Sequence, residues 1–275
     1  VPDHRLSKGN GVTRIAVLGG GVMGEALIVG LQQMNPSPII VVAEKRAARS
    51  AELIDRFGVT IADPADAVID ADVVIIVVKP QDIRGVVNEI AAGVADGALV
   101  ISIAAGITTS SIEEVIPQAN VVRAMPNTPA RIELGVTGIS AGANCAASAS
   151  AQAAQLLASV GTVILVPEDL QDAITAVSGS GPAYVFYLAE ALMAGAQEVG
   201  LSAKDARTAV VHTLLGAAHL LEIGHEEPAA LRGKVTSPGG TTAAAIAVLQ
   251  ERDVLDAFVA AIKAARDRSQ ELAKS

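Results

Sequence analysis

RIAVLGGGVMGEAL, residues 14–27, decides how this chain is read. An apolar run from Arg14 to Leu18 leads straight into Gly19, Gly20 and Gly21, and a helical pattern from Val22 to Met34 follows. As a bare pattern G-x-G-x-x-G is weak in a chain with 25 glycines, but strand, glycine turn and helix in that order give it a mechanism. Gly19 permits the tight turn, Gly21 lets a pyrophosphate approach the backbone, and Gly24 permits close helix packing. Val22 and Met23 open the helix, whose free N–H groups and positive dipole end suit an anion. A purely structural turn is the alternative.

Outward from this stretch, short continuous β-branched runs recur: IIVV (39–42), VVIIVV (73–78), LVISI (99–103), VVRAM (121–125) and VILV (163–166), with a weaker GVTGIS (135–140). Continuous rather than alternating, they suit strands covered on both faces. Alternation with amphipathic segments predicts an α/β, Rossmann-type, doubly wound and largely parallel sheet. After Pro167 the rhythm ends. Helices are predicted over 170–177, 182–199, 203–222, 242–249 and 253–272, giving an all-α second domain. The expected domains are a flexible tail over 1–11, a dinucleotide-binding domain over 12–166, and a helical dimerisation and substrate-binding domain over 167–275.

The 275 residues are enough for two cores. Hydrophobic residues make up 51% and charged ones 18%, which excludes general disorder, and a net charge of −9 argues against a nucleic-acid partner. No apolar run reaches the roughly 18 residues that span a bilayer. The N-terminal residues lack the apolar region of a secretory signal. The lone Cys145 forms no internal disulfide, so a cytoplasmic location is expected. No Cys and His occur at metal-ligand spacing.

Chemistry is sought beyond the carboxyl ends of the strands. Glu44 stands twenty positions after Gly24, where an acidic residue reads the ribose 2′-OH of NAD, yet Lys45, Arg46 and Arg49 follow, and a guanidinium matches a 2′-phosphate. The balance favours NADPH, with Arg46 the first candidate and NADH the alternative. Lys79 and Pro80 leave one strand, Ala104 and Ala105 are small enough to admit a nicotinamide ring, and Asn127 sits between Pro126 and Pro129. A helix-flanking charge for Lys79 and a turn-stabilising bond for Asn127 are the plain alternatives. No strand-end loop carries a histidine: His4 is in the tail, and His212, His219 and His225 are in or just after one helix. That weakens readings needing a base to deprotonate a hydroxyl, and suits an imine. A second stretch, KVTSPGGTT (234–242), interrupts the helical half, where two glycines leave N–H groups uncovered at a helix start that suits a carboxylate.

Together GGGVMGEAL, VVKP, SIAAG, RAMPNTPA, SGSGPAYVF (178–186) and KVTSPGGTT make the chain resemble pyrroline-5-carboxylate reductase from about Arg14 onward. The resemblance implies reduction of L-1-pyrroline-5-carboxylate to L-proline, a small-molecule substrate, by NAD(P)H. It also implies interleaved dimers through the helical domain, with a decamer of five dimers as a further level. By the same resemblance Ser237, Gly239, Gly240, Thr241 and Thr242 hold the substrate, and Thr242 bonds its ring nitrogen. Glu168 and Thr175 approach the substrate region, while Val77 to Pro80 and Ile103 to Ala105 contact cofactor. Two departures stand out: Lys234 replaces a neutral amide, and Glu44-Lys45-Arg46 is an uncommon ribose-binding sequence. Two rival readings compete. Another imine or β-hydroxyacid reductase would, for hydroxyacids, need a lysine on a long helix of the second domain, which neither Lys204 nor Lys234 is expected to supply. A non-catalytic NADP(H) sensor gives no reason for SPGGTT.

Overall fold

The computed structural model describes residues 12–224 and 226–273; the tail expected over residues 1–11, His4 and His225 lie outside the described residues. The chain forms two compact units, residues 12–180 with 265–273, and residues 181–264.

The first unit is built on β1 (Arg14–Leu18), α1 (Val22–Gln32), β2 (Ile39–Ala43), α2 (Ala47–Phe57), β3 (Thr60–Ile61), α3 (Pro64–Ala67), β4 (Val73–Ile76), α4 (Ile83–Ile90), β5 (Leu99–Ser102), α5 (Thr109–Glu113), β6 (Asn120–Met125), β7 (Gly135–Ala141), α6 (Ala147–Leu157), β8 (Gly161–Leu165) and α7 (Gln171–Ile174). The sheet order is β3-β2-β1-β4-β5-β6-β7-β8, parallel except where β6 meets β7. Successive strand residues point to opposite faces, so each strand feeds two cores. Ile15, Val17, Ile40, Val42, Ile75 and Ile101 pack with Leu27, Leu31, Leu53 and Leu156 on one face. On the other, Ala16, Leu18, Val41, Val74, Ile76 and Val100 pack with Val68, Val86, Ile90 and Ile112. Fully burying a side chain of this size contributes about 1.5–3 kcal/mol. This two-sided burial explains why the strand runs are continuously apolar.

The second unit consists of α8 (Gly181–Glu198), α9 (Ala203–Gly224), α10 (Pro228–Lys234), α11 (Thr241–Glu251) and the start of α12 (Val254–Leu272), whose end belongs to the first unit. Its helices barely bury anything: α8, α10 and α11 hold no buried residue, and α9 only Ala206 and Val210. Among the described residues no helix is long and apolar enough to cross a membrane.

Four elements differ from the sequence expectation. β3 is two residues long, too short to show a period. The run at 73–78 leaves the sheet after Ile76, so Val77 and Val78 turn into the carboxyl-end rim. Residues 168–179 form a 3-10 turn, α7 and a π turn rather than one helix. Pro228 starts a helix of seven residues, α10, too short to show a clear helical period, and Lys204 does stand in the first turn of the long helix α9.

Candidate functional site

The strand order reverses between β1, from which the chain goes on to β2 and β3 on one side, and its parallel neighbour β4, from which it goes on to β5 and β6 on the other. Loops leaving such neighbours diverge and open a crevice. The ladder carries on just past the strand ends: Gly19 N–H donates to Ala43 O (2.8 Å), Val77 N–H to Leu18 O (2.8 Å) and Ile103 N–H to Ile76 O (3.1 Å). The turns after β2, β1, β4 and β5 are thereby held side by side along one edge.

A cleft of about 630 Å³ occupies this edge, lined by Gly19, Gly21, Val22, Glu44, Arg46 and Lys79 among others. Gly19 has φ +116°, and a Cβ there would stand 2.6 Å from Val77 O. Gly24 packs directly on the Gly19 carbonyl, so its lack of a side chain sets the approach of helix and turn. Gly21 differs: a Cβ added to it would meet no protein atom within 4 Å, although the residue lines the cleft. It precedes α1, which has no side-chain cap. The open side of Gly21, the uncapped N–H groups and the cleft volume fit a dinucleotide pyrophosphate.

Just past the end of β2 the two conflicting signals meet in one contact. Glu44 accepts from Gly20 N–H (3.1 Å), from Arg46 N–H (2.9 Å), and from Arg46 Nε (2.9 Å) and Nη2 (3.0 Å). The Arg46 guanidinium, then the backbone donors, overcome burial and hold the Glu44 carboxyl down at about 2. Arg49 is engaged elsewhere: it donates to Gly20 O (2.7 Å), pairs with Glu25, and lies 2.6 Å from Glu52. Arg49 therefore braces the glycine turn, and Arg46, two-thirds exposed, is paired only with Glu44.

The other expected residues spread along the same edge and beyond it. Lys79 is exposed on the rim, and Pro80 begins the 3-10 turn beside it. Ala104 is buried, while Ala105 is exposed after β5. Asn127 is buried and committed to backbone: its Nδ2 donates to Ser178 O (3.0 Å) and its Oδ1 accepts from Val136 N–H (2.9 Å). Met23 packs on the core. Glu168 accepts from Thr109, and Thr175 Oγ1 donates to Gln171 O (2.9 Å) at the start of the π turn, a distortion often found near functional sites. Sequence reasoning missed Ala62, Asp63, Pro64, Gln81 and Asp82, which also line the cleft. The first three follow the unreadably short β3.

The second group of residues lies in the helical unit. Gly239 has φ +70°, and a Cβ added to it would meet nothing within 4 Å, so the chain reverses there unhindered. Gly240 N–H donates to Ser237 O (3.0 Å), closing the turn. Helix α11 then starts at Thr241, one residue before the expected Thr242, without a side-chain cap. Thr241, Thr242 and Ala243 thus carry backbone N–H groups that no intrahelical acceptor uses. Lys234 pairs with Glu226 at 2.7 Å. In α9, His219 faces Glu222 at 3.3 Å, both exposed. Burial, then the charge of Glu113, pushes the Cys145 thiol up, so it stays protonated and unreactive near neutrality.

Comparison with known proteins yields two family matches: pyrroline-5-carboxylate reductase dimerisation over residues 168–272, and NADP oxidoreductase, coenzyme F420-dependent, over residues 14–106. A pyrroline-5-carboxylate reductase of Synechocystis is 40% identical, with 95% of this chain and 98% of that protein covered. One from Pseudomonas aeruginosa is 41% identical, with 95% and 97% covered. The solved structure of a pyrroline-5-carboxylate reductase from Coxiella burnetii superposes with a TM-score of 0.90 at 36% identity, covering 96% of this chain and 100% of that one.

Proposed function

The chain belongs to the pyrroline-5-carboxylate reductase family, and from that premise we propose how its residues divide the work. The protein is an oxidoreductase that reduces L-1-pyrroline-5-carboxylate to L-proline with NADPH or NADH. When bound, the cofactor supplies the hydride that saturates the ring C=N carbon. Gly19, Gly21, Val22 and Gly24 cradle the pyrophosphate. Glu44 and Arg46 meet the adenosine ribose, and Val77, Lys79, Pro80 and Ile103 to Ala105 form the shelf for the nicotinamide half. Asn127 shapes that shelf through the backbone it ties.

The uncapped start of α11 carries the substrate assignment. Its N–H groups, with Ser237, Gly239, Gly240 and Thr241, receive the carboxylate, favoured by hydrogen bonds and the helix dipole. Thr242 hydrogen-bonds the ring nitrogen and is the catalytic contact. Thr175 borders the substrate region. An imine protonated before it binds requires no general base, which accords with His212 and His219 lying on α9. The rate gain then comes from alignment.

Self-association runs through the helical segment, whose family match is a dimerisation domain. We read the dimer as interleaved, with five dimers forming a decamer, and the exposed apolar helices support the first of these. We read the location as cytoplasmic, since a single cysteine offers no internal disulfide that would call for an oxidising compartment.

The test follows absorbance at 340 nm with pyrroline-5-carboxylate and each cofactor, for the parent and Thr242→Ala. Loss of one orienting hydrogen bond should lower kcat/KM by about tenfold to a hundredfold. No substrate-dependent oxidation by folded parent sinks the reductase assignment, and an unchanged Thr242→Ala sinks the role of that hydroxyl.

A further inference from the structure

The loop from Ile103 to Thr108, between β5 and α5, is hydrogen-bonded chiefly at its two ends. Its entry is fixed by the sheet through Ile103 N–H. Its exit is α5, a helix of five residues that is far too short to be stable by itself. The capping bond from Ser111 N–H to Thr108 Oγ1 is long, at 3.3 Å. Besides the local bonds of the capping turn, Ser111 Oγ to Thr108 O at 2.7 Å and Thr108 Oγ1 with Ser110 Oγ at 3.0 Å, the exit is held from far along the chain. Thr109 N–H, which has no intrahelical acceptor at the helix start, donates to Glu168 Oε1 at 2.8 Å, and Thr109 Oγ1 donates to Glu168 Oε2 at 2.8 Å. Thr109 is 4% exposed and the Glu168 side chain 28%, so these charge-assisted bonds are partly shielded from water.

Glu168 is itself kept in place. The buried Arg123 of β6 lies 3.6 Å from Glu168 and 4.0 Å from Asp172, and Asp172 accepts from Ser269 Oγ of α12 at 2.6 Å. A few residues on, Ala273 abuts the crest of the loop: a Cβ on Gly106 would stand 3.1 Å from its Cα. Both oxygens of Glu168 are therefore engaged by the cofactor-side loop.

We propose that Glu168 is a positioning residue that, through Thr109, fixes the Ile103–Thr108 loop in the shape that receives the nicotinamide half of the cofactor. This rests on the reading above, in which Ile103 to Ala105 form that shelf. A loop free to shift would have to be ordered at each binding event, so its fixation appears as dinucleotide affinity. The adenosine half, bound two to three strand positions away around β1 and β2, gains nothing from it.

The test is calorimetric titration, without pyrroline-5-carboxylate, of NADPH and of 2′,5′-ADP, which carries the adenosine half alone. Glu168→Ala should weaken NADPH about tenfold and leave 2′,5′-ADP unchanged. Glu168→Gln should stay within about twofold of the parent, because an amide can accept from Thr109 N–H and donate to Thr109 Oγ1. Thr109→Val, which keeps shape and leaves Glu168 in place, should weaken NADPH by about threefold and carries the test if Glu168→Ala fails to fold. At saturating NADPH the KM for pyrroline-5-carboxylate should match the parent. Equal weakening of both nucleotides would mark a merely structural residue. Parent-like NADPH binding with a raised substrate KM would make Glu168 a substrate ligand, and Glu168→Gln as weak as Glu168→Ala would make its charge the cause; each overturns the proposal. Failure of the reductase assignment would show separately, as a parent that binds NADPH but does not oxidise it with substrate.

Discussion

The two units of this chain use the same aliphatic residues to different ends. In the sheet unit Ile15, Val17, Leu27, Ile75 and Ile101 are wholly buried, and both faces are covered from within the chain. In the helical unit Phe186 is 65% exposed, Tyr187 72% and Val199 82%. Apolar area of that extent on helices is a surface awaiting a partner. The contrast teaches that the sheet unit buries its apolar residues within one copy, whereas the helical unit, which matches a dimerisation domain, leaves an apolar surface for self-association.

Breaking that apolar surface should have the largest effect. Phe186→Asp places a charge on the exposed face of α8, where desolvating it on association costs several kcal/mol. The dimer dissociation constant should rise at least about a hundredfold by sedimentation velocity, and pyrroline-5-carboxylate reduction should fall with it. An unchanged assembly would mean that α8 is covered in some other way.

The glycine turn sharpens the other side of the comparison, since its two outer glycines serve different ends. Gly21→Val has φ −68° to work with and open space around it, so the thermal midpoint should hold while NADPH affinity drops by about a hundredfold as the cradle fills. Gly19→Ala must accept φ +116° and a close approach to Val77 O, so it should lose stability, by about 1–3 kcal/mol. Calorimetry and thermal melts on both variants check this. Equal melting losses in the two would remove the distinction between cradle and hinge.

Legibility followed the same division. The strands from 14–18 to 161–165 were readable because burial on both faces leaves continuous β-branched runs, and two-residue β3 has no such run. Val77 and Val78 look like strand residues because composition does not record where a ladder ends. The segment 170–177 reads as one helix, yet Thr175 and Ser178 bond back to Gln171 O and Ile174 O, and the backbone widens into a π turn over Thr175–Gly179. Glycine motifs announced the cradle because a φ or a close approach restricts the residue type. Pairings announced nothing: Thr109 and Glu168 are 59 positions apart, and no local pattern links them.

The smallest effect lies where the sequence carried two opposed signals. Glu44 and Arg46 neutralise one another, so a ribose 2′-OH finds an ordered acceptor, whereas a 2′-phosphate must draw Arg46 away from a buried carboxylate. Glu44→Gln removes the repulsion and frees the guanidinium, and should shift the NADPH-to-NADH affinity ratio toward NADPH by about threefold to tenfold. The same carboxylate reports on stability. Its folded value of about 2 lies below the ordinary 4.5, so the stabilisation is fully present above pH 4.5 and is lost as pH falls toward about 2. The melting difference between parent and Glu44→Gln should therefore be constant from pH 8 to about pH 5 and narrow below it. A difference that instead grew on acidification would mean that Glu44 is not held ionised by Arg46, and the discrimination argued from that pair would fall with it.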